Sequence, residues 1–430
     1  MHAGCGYKIS AEGYALLWWI DILVVLAEDI DIAVVGSGPT GLAAALALAH
    51  GGSRVALIGP APLPHRPQPL DTRTAALLES SVDMLKALGV WEALRPHAAP
   101  LKAIRIIDAS GSLFRAPDVE FRASELGLDA FGYNIANSVL IDVLYAKAAG
   151  SVAALYPSNV ERVELTPSHA RLNVAQGAQI CARLVAGADG RNSICRKAAG
   201  IAASEQAYGQ AAIATSFTHR APHRGVSIEL HRQGGSVTTV PLTGPAASSV
   251  IWIDGTEEIE AVMRLDAEDF VAALQDRLEG LLGQVEEAGA RAQFPITRLA
   301  AETLAGRRTA LVGEAAHILP PIGAQGLNLG LRDAATLADC VGEARQHGGD
   351  PGSDDVLAAY DRARKVDVLT RTYGIDLLSR SLLSGFLPLQ AARGIVSHGL
   401  NILPPLRRLV MRIGMMPPTE LPSLMRPGAQ

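Results

Sequence analysis

Hydrophobic and polar residues follow three different patterns along the chain. The apolar run at residues 32–35 predicts a buried strand, and LAAALALA shortly after it predicts a buried helix. Between residues 200 and 295, alternating runs such as GVSIELHR and SVTTVPL predict an antiparallel sheet. Towards the C-terminus the apolar spacing becomes helical. We therefore expect an α/β protein with an inserted β-sheet domain and a C-terminal helical region.

A glycine-rich turn joins the first predicted strand to the first predicted helix. Gly36, Gly38 and Gly41 form the pattern G-x-G-x-x-G, and Pro39 and Thr40 begin the helix. The three glycines permit a tight turn, close approach to a pyrophosphate, and close packing of helix on strand. The N–H groups of the helix N-terminus are free to bind an anion. The unit predicts a Rossmann-like dinucleotide site.

The second predicted strand, RVALIG, lacks one part of that pattern. An acidic residue usually follows this strand and binds the adenosine ribose, but here Gly59 and Pro60 follow it. The ribose contacts must therefore come from elsewhere, and the motif does not distinguish NAD from NADP. No second G-x-G-x-x-G unit follows, which favours a resident flavin over an exchanging nicotinamide.

Two later motifs follow strands. LVAGADGRNSICRKAAGI predicts a strand at 184–186, a turn at Asp189 and Gly190, and then a helix. Taken alone, an Asp-Gly turn is as readily structural as functional. GEAAHILPPIGAQGLNLGLRDA follows the apolar run RRTALV, and it predicts a stiff, glycine-rich turn and a helix that begins near Gly326.

The ordered motifs resemble the FAD-dependent aromatic hydroxylases of the p-hydroxybenzoate hydroxylase group. Within that group, DTRTAALLESSVDMLKALGVW and PPIGAQGLNLGLRDAATLAD are most similar to the ubiquinone-biosynthesis hydroxylases, which act on polyprenylated phenols. The resemblance covers residues 31–416. Motifs and resemblance together imply FAD as the cofactor, bound by Gly36, Gly38, Pro39, Thr40, Gly41, Arg73, Asn137, Asp189, Gly190, Gly313, Glu314, Pro321, Gly323, Gly326, Leu327 and Asn328.

The resemblance also implies roles for some of these residues. The N–H groups around Leu327 and Asn328 are expected at the pyrimidine edge of the flavin. Arg73 matches an arginine near the pyrophosphate, although a solvated arginine at a helix start is the alternative. Glu314 stands where the group usually has an aspartate that contacts the ribityl chain. Because glutamate is one methylene longer, we expect the hydrogen bond to be kept with a small shift of the strand or the sugar.

Two site assignments are weaker. Asn137 is expected near the flavin. His317 has two interpretations, a catalytic base or a hydrogen-bonded structural histidine, and the second is favoured. No catalytic base is identified.

The implied reaction is hydroxylation of a polyprenylphenol in ubiquinone biosynthesis, with O2 and either NADH or NADPH. Reduced flavin would form a C4a-hydroperoxide, which needs a dry pocket and no metal. One alternative is another flavin oxidoreductase, such as a polyprenyl reductase, a halogenase or another aromatic hydroxylase. The W-x-W-x-I-P signature of halogenases is absent. A non-catalytic flavin-binding subunit of a biosynthetic complex is the other alternative.

The predicted domains are discontinuous. Residues 30–100, 137–200 and 296–345 would form the Rossmann-like FAD-binding domain, and 101–136 with 201–295 the β-sheet substrate domain. Residues 346–430 would form the C-terminal helical region, and 1–29 an N-terminal extension of uncertain status.

Composition excludes some partners. The 430 residues carry a formal net charge of -5 without a Lys/Arg cluster, which argues against nucleic-acid binding. The four cysteines form no C-x-x-C pair, so neither a disulfide framework nor a zinc site is indicated. The apolar segment at residues 14–27 is shorter than the roughly 20 residues that span a bilayer. We expect a cytoplasmic protein with a peripheral position on the inner membrane as an open alternative.

The tail has no acidic residue from 377 to 416. In its last predicted helix, Leu406, Leu409, Val410 and Ile413 share one face, and three arginines (Arg407, Arg408 and Arg412) lie off it. The pattern fits an interfacial helix on an anionic membrane, or equally a helix packed on the chain's own flavin domain or on a partner subunit. A homodimer and contacts with other ubiquinone-biosynthesis proteins are compatible with it.

Overall fold

The computed structural model describes residues 30–62, 72–109, 117–175, 177–232, 234–321, 323–383, 398–400, 402–415 and 419–428. The N-terminal extension predicted at residues 1–29 lies outside them. The helices are α1 (Pro39–His50), α2 (Glu79–Ala87), α3 (Trp91–Leu94), α4 (Asn137–Ala149), α5 (Ile194–Ala199), α6 (Thr256–Met263), α7 (Ala267–Leu278), α8 (Gln325–Gln346), α9 (Asp354–Leu383) and α10 (Pro404–Met415).

The strands form three sheets. They are β1 (Ile30–Val35), β2 (Val55–Ile58), β3 (Thr74–Leu78), β4 (Ala99–Pro100), β5 (Ala103–Asp108), β6 (Val119–Arg122), β7 (Gly132–Ala136), β8 (Ala154–Tyr156), β9 (Val160–Leu165), β10 (Ala170–Val174), β11 (Gln179–Gly187), β12 (Ala203–His219), β13 (Val226–Arg232), β14 (Gly235–Pro241), β15 (Ala247–Gly255), β16 (Val285–Ala288), β17 (Ala292–Ala301), β18 (Ala305–Gly306), β19 (Thr309–Leu311) and β20 (His317–Ile318).

The first sheet is built around β1. Its parallel strands follow the order β19-β11-β1-β2-β8, with Ile32 of β1 paired to Leu184 on one side and Val55 on the other. Both faces are buried, which explains why β1 reads as a continuous apolar run. Ile32 faces the core shared with α1, α4 and α8, and Ala33 faces the core shared with β9, β10 and α5.

The second sheet contains the longest strands. Its order is β20-β17-β12-β15-β14-β13-β5-β6, and β16 also pairs with β12. All its pairs are antiparallel except β13 with β5. One face packs on α6 and α7 through residues such as Trp252 and Phe270. β17 crosses the domain boundary predicted between residues 295 and 296, because it runs from Ala292 to Ala301.

A small third sheet, β3-β7-β4, connects the other two. Thr74 Oγ1 lies 3.0 Å from Ser249 Oγ, which joins β3 to β15 of the second sheet. The buried Asn134 on β7 donates from Nδ2 to the Pro241 carbonyl at 2.9 Å. These contacts fix the second sheet to the third.

Buried ion pairs join α8 to α9. Asp367 accepts from Arg332 Nε at 2.8 Å, Arg364 Nη1 at 2.9 Å and Arg371 Nε at 2.9 Å. Burial alone would raise the pKa of Asp367, but the three arginines hold that pKa below its ordinary value of 3.8. Burial lowers the pKa of Arg332 to about 10, an effect that Asp367 opposes. Both groups therefore stay charged at neutral pH.

The C-terminal helix α10 turns one face to the protein and the other to solvent. Met411 is buried in a small core with Leu400 and Phe121. On the same face, Arg407 forms an ion pair with Glu125, with Nη2 to Oε2 at 2.8 Å. The large apolar side chains on the opposite face are exposed, namely Leu406, Leu409, Val410 and Ile413, and so are Ile402 and Leu403 just before the helix.

Within the described ranges, none of the helices combines the length and the apolar character needed to cross a bilayer.

The Asp367 pairs lead to a stability prediction. Asp367→Asn leaves buried guanidinium groups without their counter-charge, so we expect the free energy of unfolding to fall by about 3–5 kcal/mol. Because the folded pKa of Asp367 lies below 3.8, the carboxylate's contribution is complete above that pH and is lost as the pH falls below it. The difference in unfolding free energy between wild type and variant, measured by urea denaturation, should therefore become smaller at acidic pH.

The exposed Asp355 on the first turn of α9 provides the matched control. Asp355→Asn should change the unfolding free energy by less than about 1 kcal/mol. Equal effects of the two substitutions would show that the buried pairs do not stabilise the α8–α9 junction.

Candidate functional site

Two glycines of the first turn are required by packing. Gly36 has φ +114°, and a Cβ added to it would lie 2.2 Å from the Ala188 carbonyl oxygen. A Cβ on Gly41 would lie 2.0 Å from the Gly36 carbonyl oxygen. Such distances are far shorter than a van der Waals contact, so only glycine fits. The turn therefore packs tightly on Ala188, which follows β11, and Gly41 packs tightly on Gly36 within the turn.

The remaining residues of that turn leave room for a ligand. Among the described residues, a Cβ on Gly38 would meet no atom within 4 Å, and no side chain caps α1. Pro39 occupies the start of the helix, where its missing N–H costs nothing. Thr40 packs against the loop after β19, since a Cβ on Gly313 would come within 2.9 Å of Thr40 Cγ2. The free N–H groups of α1 thus face open space beside Gly38.

Gly59 has a steric explanation. A Cβ at this position would lie 2.6 Å from Ser37 N and 2.7 Å from Ser37 Oγ. Ser37 Oγ in turn donates to the Pro60 carbonyl at 2.5 Å. The acidic residue expected after β2 is therefore excluded by the packing of Ser37 on this position.

The Asp189–Gly190 turn caps α5. Asp189 accepts from Ser193 Oγ at 2.6 Å, and from the backbone N–H groups of Ile194 at 2.7 Å and Cys195 at 3.1 Å. Gly190 has φ +75°, and a Cβ there would meet no atom within 4 Å. The Asp189 side chain thus stabilises the start of α5. Its contact with a cofactor stays a prediction.

Arg196, which follows that turn, contacts the loop after β19. It is buried, and it donates from Nη1 to the Ala315 carbonyl at 2.7 Å and from Nη2 to the Arg191 carbonyl at 2.8 Å. The turns after β11 and β19 are therefore fixed to each other.

The loop after β19 is held from behind by Asp333 on α8. Asp333 Oδ2 accepts from Gly313 N at 3.0 Å and lies 2.6 Å from His317 Nε2, while Oδ1 accepts from Arg364 Nε at 2.7 Å. Burial raises the pKa of Asp333, but His317 and Arg364 outweigh burial and bring that pKa below 3.8. His317 is only 2% exposed, which supports its structural interpretation.

Glu314 differs from its neighbours. Gly313 and Ala315 are buried, whereas Glu314 is exposed at the same bend. Its carboxylate is therefore available to a hydroxyl group in the open space in front of the loop, and the predicted ribityl contact fits this position.

The glycine-rich turn before α8 is open to solvent. Pro321, Gly323 and Gly326 are exposed, and a Cβ on Gly326 would meet no atom within 4 Å. In the part of the chain that the structure describes, no side chain caps α8, and its first turn contains no acidic residue. The N–H groups near Leu327 are therefore free for a ligand, and the helix dipole places partial positive charge there.

Asn328 has a role that the sequence did not indicate. Its side chain is fully buried, with Oδ1 accepting from Leu78 N at 2.8 Å and Ser81 Oγ at 2.7 Å. Its Nδ2 donates to the carbonyls of Ala76 at 2.8 Å and Ala324 at 2.6 Å. The side chain therefore anchors the open turn to β3 and α2, which leaves only its backbone for a ligand.

Arg73 lies at the junction with the second sheet. Its guanidinium carbon is 5.1 Å from the centre of the Phe294 ring on β17. The neighbouring Thr72 donates from Oγ1 to the Ala214 carbonyl on β12 at 2.8 Å. Asn137 begins α4, and its N–H donates to the Arg73 carbonyl at 3.1 Å. Phe294 was missed because it is an isolated aromatic residue in an alternating run.

These residues fit a flavin dinucleotide. Three glycines (Gly38, Gly190 and Gly326) have open space where a Cβ would point, and two uncapped helix N-termini offer N–H donors. The α1 turn would hold the pyrophosphate, the exposed Glu314 the ribityl chain, and the α8 turn the ring. The fold and these open turns are those expected of a flavoprotein that binds its dinucleotide at a Rossmann-like sheet.

Comparisons with known proteins agree with this class. The family model of the FAD binding domain matches residues 29–368. Ubiquinone hydroxylase UbiL of Rhodospirillum rubrum is 32% identical over 388 residues, which are 90% of this chain and 89% of that protein. The 3-demethoxyubiquinol 3-hydroxylase of Escherichia coli is 31% identical over 86% of this chain and 94% of its own. The chain belongs to the FAD binding domain family and, within it, to the hydroxylases.

Solved structures support the fold. The p-nitrophenol 4-monooxygenase PnpA of Pseudomonas putida superposes with a TM-score of 0.73 at 19% identity, over 91% of this chain and 99% of that one. The expected combination of an α/β nucleotide-binding fold, an antiparallel sheet and a C-terminal helical region is confirmed.

The open space at Gly38 leads to a prediction about FAD. Gly38→Val should abolish the yellow colour of the purified protein, because the side chain would occupy the place of the pyrophosphate. Its free-state fold should be unaffected, since the added Cβ meets no atom within 4 Å. Bound flavin absorbance and thermal unfolding of the apoprotein measure the two effects separately.

Gly41→Ala is the matched comparison. Its Cβ would lie 2.0 Å from the Gly36 carbonyl oxygen, so this variant should lose thermal stability as well as FAD. Normal FAD content in Gly38→Val would contradict the assignment of this turn to the cofactor.

Proposed function

We propose that this chain hydroxylates the aromatic ring of a polyprenylated phenol in ubiquinone biosynthesis, with NADH or NADPH as reductant. One oxygen atom of O2 enters the ring and the other leaves as water. The observation that carries the proposal is likeness over nearly the whole chain to a ubiquinone hydroxylase and a demethoxyubiquinol hydroxylase. FAD, when bound and reduced, supplies the activation of O2.

The chain's own residues would position the substrate and keep the site dry. The second sheet lies over the flavin loops, and the face opposite α6 and α7 carries the small apolar cluster of Ala212, Ile253 and Ile296. Phe294, which is paired with Ala212, lies on that same face, and Arg73 lies beside its ring. An apolar wall beside the reacting ring limits the access of water, which would divert the reaction towards peroxide.

The free end of α8 would assist the redox steps. Its N-terminal N–H groups lie beside Gly323 and Gly326, and no carboxylate in the first turn opposes them. A helix N-terminus stabilises negative charge, and reduced flavin carries negative charge on its pyrimidine edge. These N–H groups would thereby stabilise the reduced form of the cofactor.

We also propose that the exposed face of α10 lies on an anionic membrane. The face carries four large apolar side chains, of which Ile413 is 65% exposed, and the preceding Ile402 is 60% exposed. Arg408 and Arg412 are exposed on the same helix, and residues 377–419 contain no acidic side chain. Apolar insertion and attraction to lipid phosphates would then act together. A membrane surface is also where a polyprenylated phenol would be found.

The oxygen source tests the reaction. With purified protein, a prenylated phenol, NAD(P)H and labelled O2, we expect one labelled oxygen atom per product molecule, with equal amounts of reductant oxidised. Mass spectrometry of the product and absorbance of the reductant measure both. The Gly38→Val protein is the control without FAD. An unlabelled product with a saturated prenyl chain would identify a reductase instead, and peroxide alone would reject the substrate class.

Charge reversal on α10 tests the membrane contact. Arg408→Glu with Arg412→Glu should weaken binding to anionic vesicles by about 1 kcal/mol for each cation removed, and should affect neutral vesicles less. Arg407 is unsuitable here, because it pairs with Glu125 and its replacement would loosen α10 itself. Arg362→Glu with Lys197→Glu, at two exposed positions away from α10, is the matched control. Equal effects of the two double variants would indicate a general charge effect and reject the contact.

A further inference from the structure

A crevice lies where the flavin-binding core meets α10. Its volume is about 360 Å³, within the range of roughly 300–1,000 Å³ that is typical of small-molecule sites. The apolar side chains that line it come from four separate segments, and they are Leu78, Leu126, Leu128, Met415, Leu421 and Met425.

The crevice exists because two apolar cores meet there without filling the space. Met425 belongs to the large core of the first sheet, and Leu421 packs against that core. Leu126, Leu128 and Met415 instead pack on the small core beneath α10. A gap between two packed cores has an apolar surface that neither core covers.

The polar residues of the crevice are confined to two places. Glu79, Ser80 and Asp83 come from the start of α2, and Arg412 from the end of α10. Glu79 and Arg412 are exposed, and Asp83 already pairs with Lys86 at 2.8 Å. No ring of buried polar atoms is present among these residues to recognise a polar molecule. The lining suits an extended hydrocarbon chain.

The position of the crevice connects the two parts of the proposed function. Leu78, on its wall, donates its N–H to Asn328 Oδ1 in the first turn of α8, at 2.8 Å. On the other side, Met415 and Arg412 belong to α10, whose outer face is apolar and exposed. A chain that lies in the crevice would therefore extend from the neighbourhood of the flavin turn towards the surface helix.

We infer that this crevice binds the isoprenoid chain of the substrate. The inference rests on the proposed function, because it assigns the polyprenyl tail of that substrate to these residues. Burial of apolar surface on both sides of the crevice supplies the affinity.

Filling the crevice tests the inference. Leu128→Trp adds volume on the α10 side, and Leu421→Trp adds it on the opposite wall, so two variants guard against a failure of one to fold. The control is Leu369→Trp, at an exposed position of α9 outside the crevice. FAD content, measured by bound flavin absorbance, should equal that of wild type in all three.

The first measurement uses farnesol, an isoprenoid alcohol without a ring, in titration calorimetry. Wild type and Leu369→Trp should bind it, and the filled variants should bind about tenfold more weakly or not at all. Equal binding to all four proteins, or no binding to wild type, would overturn the inference.

The second measurement compares a farnesylated phenol with its methyl-substituted counterpart. Filling should raise KM for the farnesylated phenol by about tenfold and leave kcat and the KM of the short phenol nearly unchanged. An equal loss with both phenols would show damage to the ring site and contradict the inference. If wild type hydroxylates neither phenol while the filled variants still lose farnesol binding, the crevice assignment stands and the proposed reaction fails.

Discussion

A single buried carboxylate, that of Asp333, determines the geometry on which the cofactor site depends. It holds the N–H of Gly313, the ring of His317 and the guanidinium of Arg364 at the same time. The loop after β19 is thereby attached to two helices, and the φ of +63° at Gly313 is fixed beside Thr40. A charge in this position is costly unless every partner is present. The loop, α8 and α9 are therefore held in one arrangement. The glycine-rich turn before α8 is fixed along with them.

The glycines of the site divide into two groups by what surrounds them. Gly36, Gly41 and Gly59 are glycine because a Cβ would overlap the protein itself, at 2.0–2.6 Å from backbone atoms. Gly38, Gly190 and Gly326 have open space, so the protein alone does not require glycine at Gly38 or Gly326. At these two positions the proposed cofactor would supply the reason. The contrast between closed and open glycines thus outlines where the cofactor would lie.

The sequence predicted most of the local structure. The strand, turn and helix around Gly36 follow from apolar runs and glycine spacing, and the helix expected near Gly326 begins at Gln325. The sequence could not show three contacts: Asn328 with β3, Phe294 with Arg73, and Arg407 with Glu125. Each of these contacts joins residues far apart in the chain, and their partners depend on how the sheets are placed. From the sequence alone, Gly59 indicates a missing contact to the ribose. The structure shows that glycine is required there by the packing of Ser37.

The orientation of α10 follows from the same kind of long-range contact. Its helical spacing gives an apolar face and a face with Arg407, Met411 and Met415, but spacing alone does not say which face turns inward. The pair of Arg407 with Glu125 decides this, because it holds the second face against the small core around Met411. The apolar face is then directed outward, where water makes its exposure unfavourable. Since Met415 also lines the crevice, the contact that exposes the apolar face of the helix is also the contact that shapes the crevice behind it.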